Sequence, residues 1–119
     1  MIKQAFYGGI LLLMAWTAPL NAADTTPTDE QRALGKAIAS DRNKGNCLSC
    51  HMMDGAELPG NSGPPLLMMQ ARFPDRAVLR AQIVDARERN PNTSMPPYGR
   101  HRILTDEEID RVVDYIHAL

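Results

Sequence analysis

Cys47-Leu48-Ser49-Cys50-His51 leaves this chain few ways to fold, because the five residues have the spacing of a covalent c-type haem attachment site. Each thiol of a C-x-x-C pair can form a thioether to a haem vinyl group. The adjoining imidazole can reach the iron from one face. A small chain that carries such a plate must wrap around it. Cys47 and Cys50 are the only cysteines among 119 residues, so the pattern provides for one haem and leaves no thiol for a second.

Other readings of the pair fit less of the sequence. A thioredoxin-like redox motif wants a βαβ setting, and no strand-rich pattern surrounds Cys47. A zinc site usually needs four protein ligands with a second close pair. The remaining histidines, His101 and His117, lie 16 apart and form no such pair. A Cys47–Cys50 disulfide is open to an exported chain. The histidine at the fifth position, together with an export signal, favours haem.

That signal is Met1 to about Ala22. Lys3 supplies a positive start, Ala5 to Trp16 is a twelve-residue stretch rich in apolar residues, and small residues close it at Ala22 and Ala23. A spanning helix needs about 20 apolar residues, and Pro19, Asn21 and Asp24 follow too soon. No cysteine lies near the cut to carry a lipid. The expectation is a cleaved signal peptide over residues 1–22, export, and one domain over 28–119. The remaining chain of about 96 residues holds twelve Lys or Arg and fourteen Asp or Glu. A net charge near −2 argues against general nucleic-acid binding. Domains of this size struggle to bury enough surface alone, so a haem would be part of the core as well as the working group.

The pattern along the chain is helical. Thr28 and Gln31 form a capping box that opens a helix, with Ala33, Leu34, Ala37 and Ile38 as its expected apolar stripe. Gly35 sits inside it, at a cost of about 1 kcal/mol against alanine, which predicts close approach by another helix near Tyr115 or Ile116. Asp54 to Pro65 carries three glycines and three prolines and reads as irregular. Asp75 is a candidate N-cap for a helix running to about Arg89, with Leu79, Ile83 and Val84 inward; Asn90-Pro91 would end it. Thr105 and Glu108 form a second capping box, with Leu104 and Ile109 as a hydrophobic staple. Ile109, Val112, Val113, Ile116 and Leu119 then recur at helical spacing.

With His51 on one face of the iron, the other face decides the chemistry. Met52 and Met53 would be tied to the His51 side by the thioethers. Met68 and Met69, adjacent after Gly63-Pro64-Pro65-Leu66, read as adaptable core filler on that same wall. His117 reads as solvent-facing or capping. Met95 stands apart, because Pro96 and Pro97 follow it and fix the direction of a loop with no room for a helix. His101, six residues on, is the alternative ligand. A Met/His pair raises the reduction potential and leaves the iron six-coordinate, which suits electron transfer rather than oxygen chemistry. An open iron position would instead suit a ligand sensor or peroxidase. A ligating histidine usually donates its second ring N–H to a carbonyl, and the Pro64 carbonyl is the candidate. Arg87, Arg89, Arg100 and Arg102 lie near the Met95 loop in sequence, where they could surround a propionate, meet an acidic partner or simply be solvated.

Terminal helices, C-x-x-C-H, Gly63-Pro64 and a late Met-Pro resemble class I cytochromes c. This resemblance implies an all-α single domain of three to five helices around one covalent haem c, attached on the exported side of a bacterial membrane. A narrower likeness rests on Gly45-Asn46-Cys47-Leu48-Ser49-Cys50-His51, Gly63-Pro64-Pro65-Leu66, Asp85-Ala86-Arg87 and Ile103-Leu104-Thr105. Val112-Val113-Asp114-Tyr115-Ile116 adds to it, and above all Asn90-Pro91-Asn92-Thr93-Ser94-Met95-Pro96-Pro97. Over roughly residues 43–119 these look like the SoxX family, the mono-haem subunit of the SoxAX complex in bacterial thiosulfate oxidation. The five residues between Pro97 and Ile103 are shorter than the excursion many relatives carry.

The resemblance implies haem attachment at Cys47 and Cys50, iron ligation by His51 and Met95, and a periplasmic electron-transfer subunit with no active site of its own. It implies a SoxA-type dihaem or monohaem partner that joins thiosulfate to a cysteine of the SoxYZ carrier, and a soluble electron acceptor. The alternative is a free periplasmic class I cytochrome c serving another respiratory enzyme.

Overall fold

A computed structural model of the chain describes residues 26–54 and 56–119; the expected signal segment, Met1 to about Ala22, lies outside the described residues. Among those residues there are four α-helices, two single 3-10 turns and no strand. The helices are α1 (Asp29–Ser40), α2 (Met69–Arg72), α3 (Arg76–Val84) and α4 (Asp106–Ile116).

Both capping boxes form. The Thr28 hydroxyl accepts the Gln31 N–H at 3.2 Å while the Gln31 amide oxygen accepts the Thr28 N–H at 2.8 Å. Thr105 and Glu108 repeat the arrangement at the start of α4, at 3.2 and 3.0 Å. Leu104 and Ile109, either side of that cap, are both buried, as a staple requires. Three acidic residues in the first turn of α4 complement the positive end of its dipole.

The main helix–helix interface is α1 on α4. The stripe expected for α1 is not the buried one. Gly35 and Ala39 face inward and Ile38 is half-buried, whereas Ala33 and Ala37 are exposed and Leu34 is 51% exposed. The physical reason is distance. At Gly35 an added Cβ would overlap the Arg111 carbonyl and stand 2.8 Å from Tyr115 Cβ. At that separation only small side chains fit between the helices, so Gly35 and Ala39 form the contact and Leu34 is turned out. On α4, Ile109, Val112, Val113 and Ile116 are all buried, each contributing about 1.5–3 kcal/mol relative to exposure.

The helix expected from Asp75 to about Arg89 is shorter in the structure. Asp75 does cap it, accepting the Ala77 N–H at 2.8 Å. But α3 ends at Val84, and Asp85 is extended at φ −156°. The Val84 carbonyl is taken by the N–H groups of Gly99 and Arg100, at 3.1 and 3.2 Å. The helix therefore yields to a bond from a later loop and restarts as a 3-10 turn, Ala86–Glu88, with Asp85 as its cap.

Asp85 also takes a two-point ion pair from Arg87, at 2.7 Å on each oxygen. That hydrogen-bonded guanidinium holds the Asp85 carboxyl down at about 2. Because the folded value lies below the ordinary carboxylate value, the stabilisation is present above about pH 4 and is lost as pH falls towards 2. We expect Asp85→Asn to melt below the unsubstituted protein at pH 7, with the gap closing between pH 4 and 2. A pH series of thermal melts checks it, and a gap that stays constant to pH 2 would remove the ion pair from the account.

Ion pairs also tie α3 to α4. Arg76 meets Asp114, and Arg80 meets Asp110 at 2.6 Å and Asp106 at 3.0 Å. His117, expected to face solvent or to cap, is part-buried with Nε2 3.0 Å from the Phe73 carbonyl, joining the end of α4 to the end of α2.

Candidate haem centre

The haem motif is shaped by its own backbone. Asn46 takes a left-handed conformation at φ 48°, and Cys47–Ser49 then close a 3-10 turn. The Cys47 carbonyl accepts the N–H of Cys50 at 3.2 Å and of His51 at 2.9 Å. This turn brings the two sulfurs and the imidazole to one cavity wall. The returning segment runs alongside it. N–H groups of Gly60, Gly63 and Leu66 each bond at 2.8 Å to the carbonyls of Leu48, Cys50 and Met52.

That return strap orients the histidine. His51 Nδ1 lies 2.7 Å from the Pro64 carbonyl oxygen. A carbonyl can only accept, so Nδ1 carries the proton and the Nε2 lone pair is left free for a metal. Gly63 makes the approach possible, since a Cβ there would stand 2.7 Å from Nδ1 and 2.5 Å from Cε1 of the ring.

Facing this wall is a cavity of about 1320 Å³, above the roughly 300–1,000 Å³ common for small-molecule sites. Its lining is largely apolar, from Leu66, Phe73, Leu79, Ile83, Val112 and Ile116. Cys47, Cys50, His51 and Met95 all contribute to it. The thiols, an oriented imidazole, a thioether and a hollow apolar core fit a covalent haem. Burial pushes the Cys47 thiol up to about 11.

Met95 is half-buried against the core. Its N–H is accepted by Thr93 Oγ1 at 3.1 Å, and the Thr93 N–H by the Asn90 carbonyl at 3.0 Å. With Pro96 and Pro97 following, the sulfur-bearing residue is restrained on both sides. His101 is exposed and outside the cavity lining. Met52 is 42% exposed and Met68 73% exposed, while Met53 is buried away from the lining. Met69 does line the cavity, 1% exposed, with Sδ 3.4 Å from an Arg72 nitrogen. Of the candidate iron ligands, His51, Met69 and Met95 therefore reach the cavity.

The sequence pattern does not single out Tyr98. Its ring is buried on the cavity wall and its hydroxyl donates to the Gly45 carbonyl at 2.6 Å. Burial, with the cysteines nearby, pushes the phenol up to about 12, so it remains a donor at neutral pH. The one usable signal is its place directly after Met-Pro-Pro.

Residues 32–119 match the family described as Cytochrome c. An uncharacterized lipoprotein of Aquifex aeolicus (strain VF5) is 35% identical over 75 residues, which is 62% of this chain and 36% of that protein's length. The family match spans most of α1, the haem motif, the Met95 loop and all of α4. The chain belongs to the cytochrome c family, and its four-helix domain carries one covalent haem c with its iron.

Proposed function

We propose that this cytochrome is the electron-transfer subunit of a SoxAX-type thiosulfate-oxidising complex, exported to the periplasm by its first 22 residues. The observation that carries the reading is that one cavity receives His51 from the haem motif and Met95 from the Asn-Pro-x-Thr-x-Met-Pro-Pro loop. Bound haem supplies a one-electron couple at the iron. His51, held by Pro64, and Met95, held by Thr93 and the two prolines, would be the residues that hold its iron. A sulfur ligand from Met95 would raise the potential and would keep small oxidants from binding the iron. No residue here is assigned a catalytic part. Thiosulfate would be joined to a SoxYZ-type carrier cysteine at a SoxA-type partner, and this chain would take up the electrons and pass them to a soluble acceptor.

The test is reduction of the purified cytochrome by thiosulfate and carrier with and without a SoxA-type protein. Reduction only in its presence supports the subunit reading. Equal reduction by an unrelated respiratory enzyme, with no association with a SoxA-type protein, would assign the chain to the free carriers instead.

Partner docking has a candidate surface. Arg87 is engaged by Asp85, but Arg89, Arg100 and Arg102 are exposed and make no ion pair among the described residues. The bonds from Gly99 and Arg100 to Val84 bring their two segments together. Unpaired cations of this kind steer an acidic partner, and salt screens them over about 8–10 Å. We expect the rate of electron exchange with an acidic partner to fall severalfold on raising salt, and Arg100→Glu with Arg102→Glu to flatten or reverse that dependence. Stopped-flow rates across an ionic-strength series measure it; an unchanged slope would leave these arginines as solvated surface.

A further inference from the structure

We infer that Tyr98 is a positioning residue for the sixth iron ligand: a buried strut that sets the Met95 loop at a fixed distance from the loop holding the haem. The inference rests on Met95 being that ligand. Among the described residues, Tyr98 Oη to the Gly45 carbonyl is the only hydrogen bond between residues 41–51 and residues 90–103. It is short, at 2.6 Å, and buried.

Both ends of the strut are anchored. The Gly45 N–H donates to the Ile38 carbonyl at 3.2 Å, near the end of α1, and Gly45 stands two residues before Cys47. At the other end the Tyr98 carbonyl accepts the N–H groups of Ile103 and Leu104, at 2.9 and 3.1 Å, just before α4. Gly99 and Arg100 are bonded to Val84. Those bonds fasten the Met95 loop to α3 and to the entry of α4, but none of them reaches the haem-attachment loop. Among the described residues the polar link from that loop to α4 is the ion pair of Lys44 with Glu108, whose side chains are 44% and 22% exposed. An exposed pair of that kind holds geometry weakly.

A rigid two-anchor strut favours the state in which the thioether occupies the iron over one in which the loop has swung away. Removing its hydroxyl leaves the Gly45 carbonyl buried without its donor, and the open state becomes more populated. An added ligand that competes for the sixth position then binds more tightly in proportion.

The experiment is an imidazole titration of the haem-loaded ferric protein, followed by loss of the near-infrared Met–Fe(III) band. Tyr98→Phe is expected to keep its covalent haem and to bind imidazole about tenfold more tightly, an effect on the order of one buried hydrogen bond. Val113→Ala, a core truncation outside the cavity lining, serves as the comparison. It is expected to lower the melting temperature and leave the imidazole affinity unchanged. Equal affinity in Tyr98→Phe and the unsubstituted protein, or an equal gain in Val113→Ala, overturns the strut. An unsubstituted protein that shows no Met–Fe(III) band overturns the Met95 reading and the strut with it.

Discussion

Met95→Leu is expected to abolish the near-infrared Met–Fe(III) band and to lower the reduction potential by on the order of 0.1 V or more, part of the roughly 0.8 V that axial ligands span. The isobutyl group of leucine fills similar space against the core but offers no lone pair. A soft thioether stabilises the reduced iron relative to the oxidised, so its loss makes reduction harder. The vacated position should also bind carbon monoxide at full occupancy when reduced, which the unsubstituted protein should resist. His101→Ala is the counterpart and is expected to keep both band and potential, because that ring is exposed and outside the cavity lining. Loss of the band in His101→Ala and its survival in Met95→Leu would move the ligand to His101. Persistence in both would point to Met69, whose buried side chain also lines the cavity.

The parts of this molecule that can be read from sequence are those whose partners lie a few residues away. Thr28 with Gln31, Thr105 with Glu108 and the turn of Cys47 to His51 are closed by bonds over three or four positions. Pro64 is within reach because a ligating imidazole needs an acceptor and the chain offers a turn soon after it. Gly35 is legible for another reason, since a residue that costs helix stability requires a compensating contact. The errors lie where distant segments intervene. Hydrophobicity alone would turn Leu34 inward, whereas the separation from α4 selects small residues instead. The break at Asp85 depends on Gly99 and Arg100 capturing the Val84 carbonyl. Tyr98 depends on a backbone carbonyl 53 residues away. No local periodicity encodes either bond.

Gly35→Val is expected to be the most destabilising of these substitutions, by about 3 kcal/mol or more, the upper end of what overpacking costs. The obstacle is the Arg111 backbone carbonyl rather than the tip of a side chain, so no rotamer change relieves it and the helices must separate. For a domain of this size about 4–8 °C of melting temperature accompanies each kcal/mol, which predicts a fall of about 10–25 °C. Gly35→Ala is the sharper measurement. Alanine gains about 1 kcal/mol of intrinsic helix propensity, and with free space at this position it would stabilise the protein. Here its single methyl meets Arg111 and Tyr115, so a net loss is expected in thermal or denaturant unfolding. A higher melting temperature in Gly35→Ala would mean that some other contact sets the α1–α4 spacing. The consequence reaches the haem site, because Val112 and Ile116 of α4 form part of the cavity wall. Displacing α4 from α1 should therefore weaken the Met–Fe(III) band along with stability. An effect on melting with the band intact would show that the wall moves with its helix while the ligand loop stays in register.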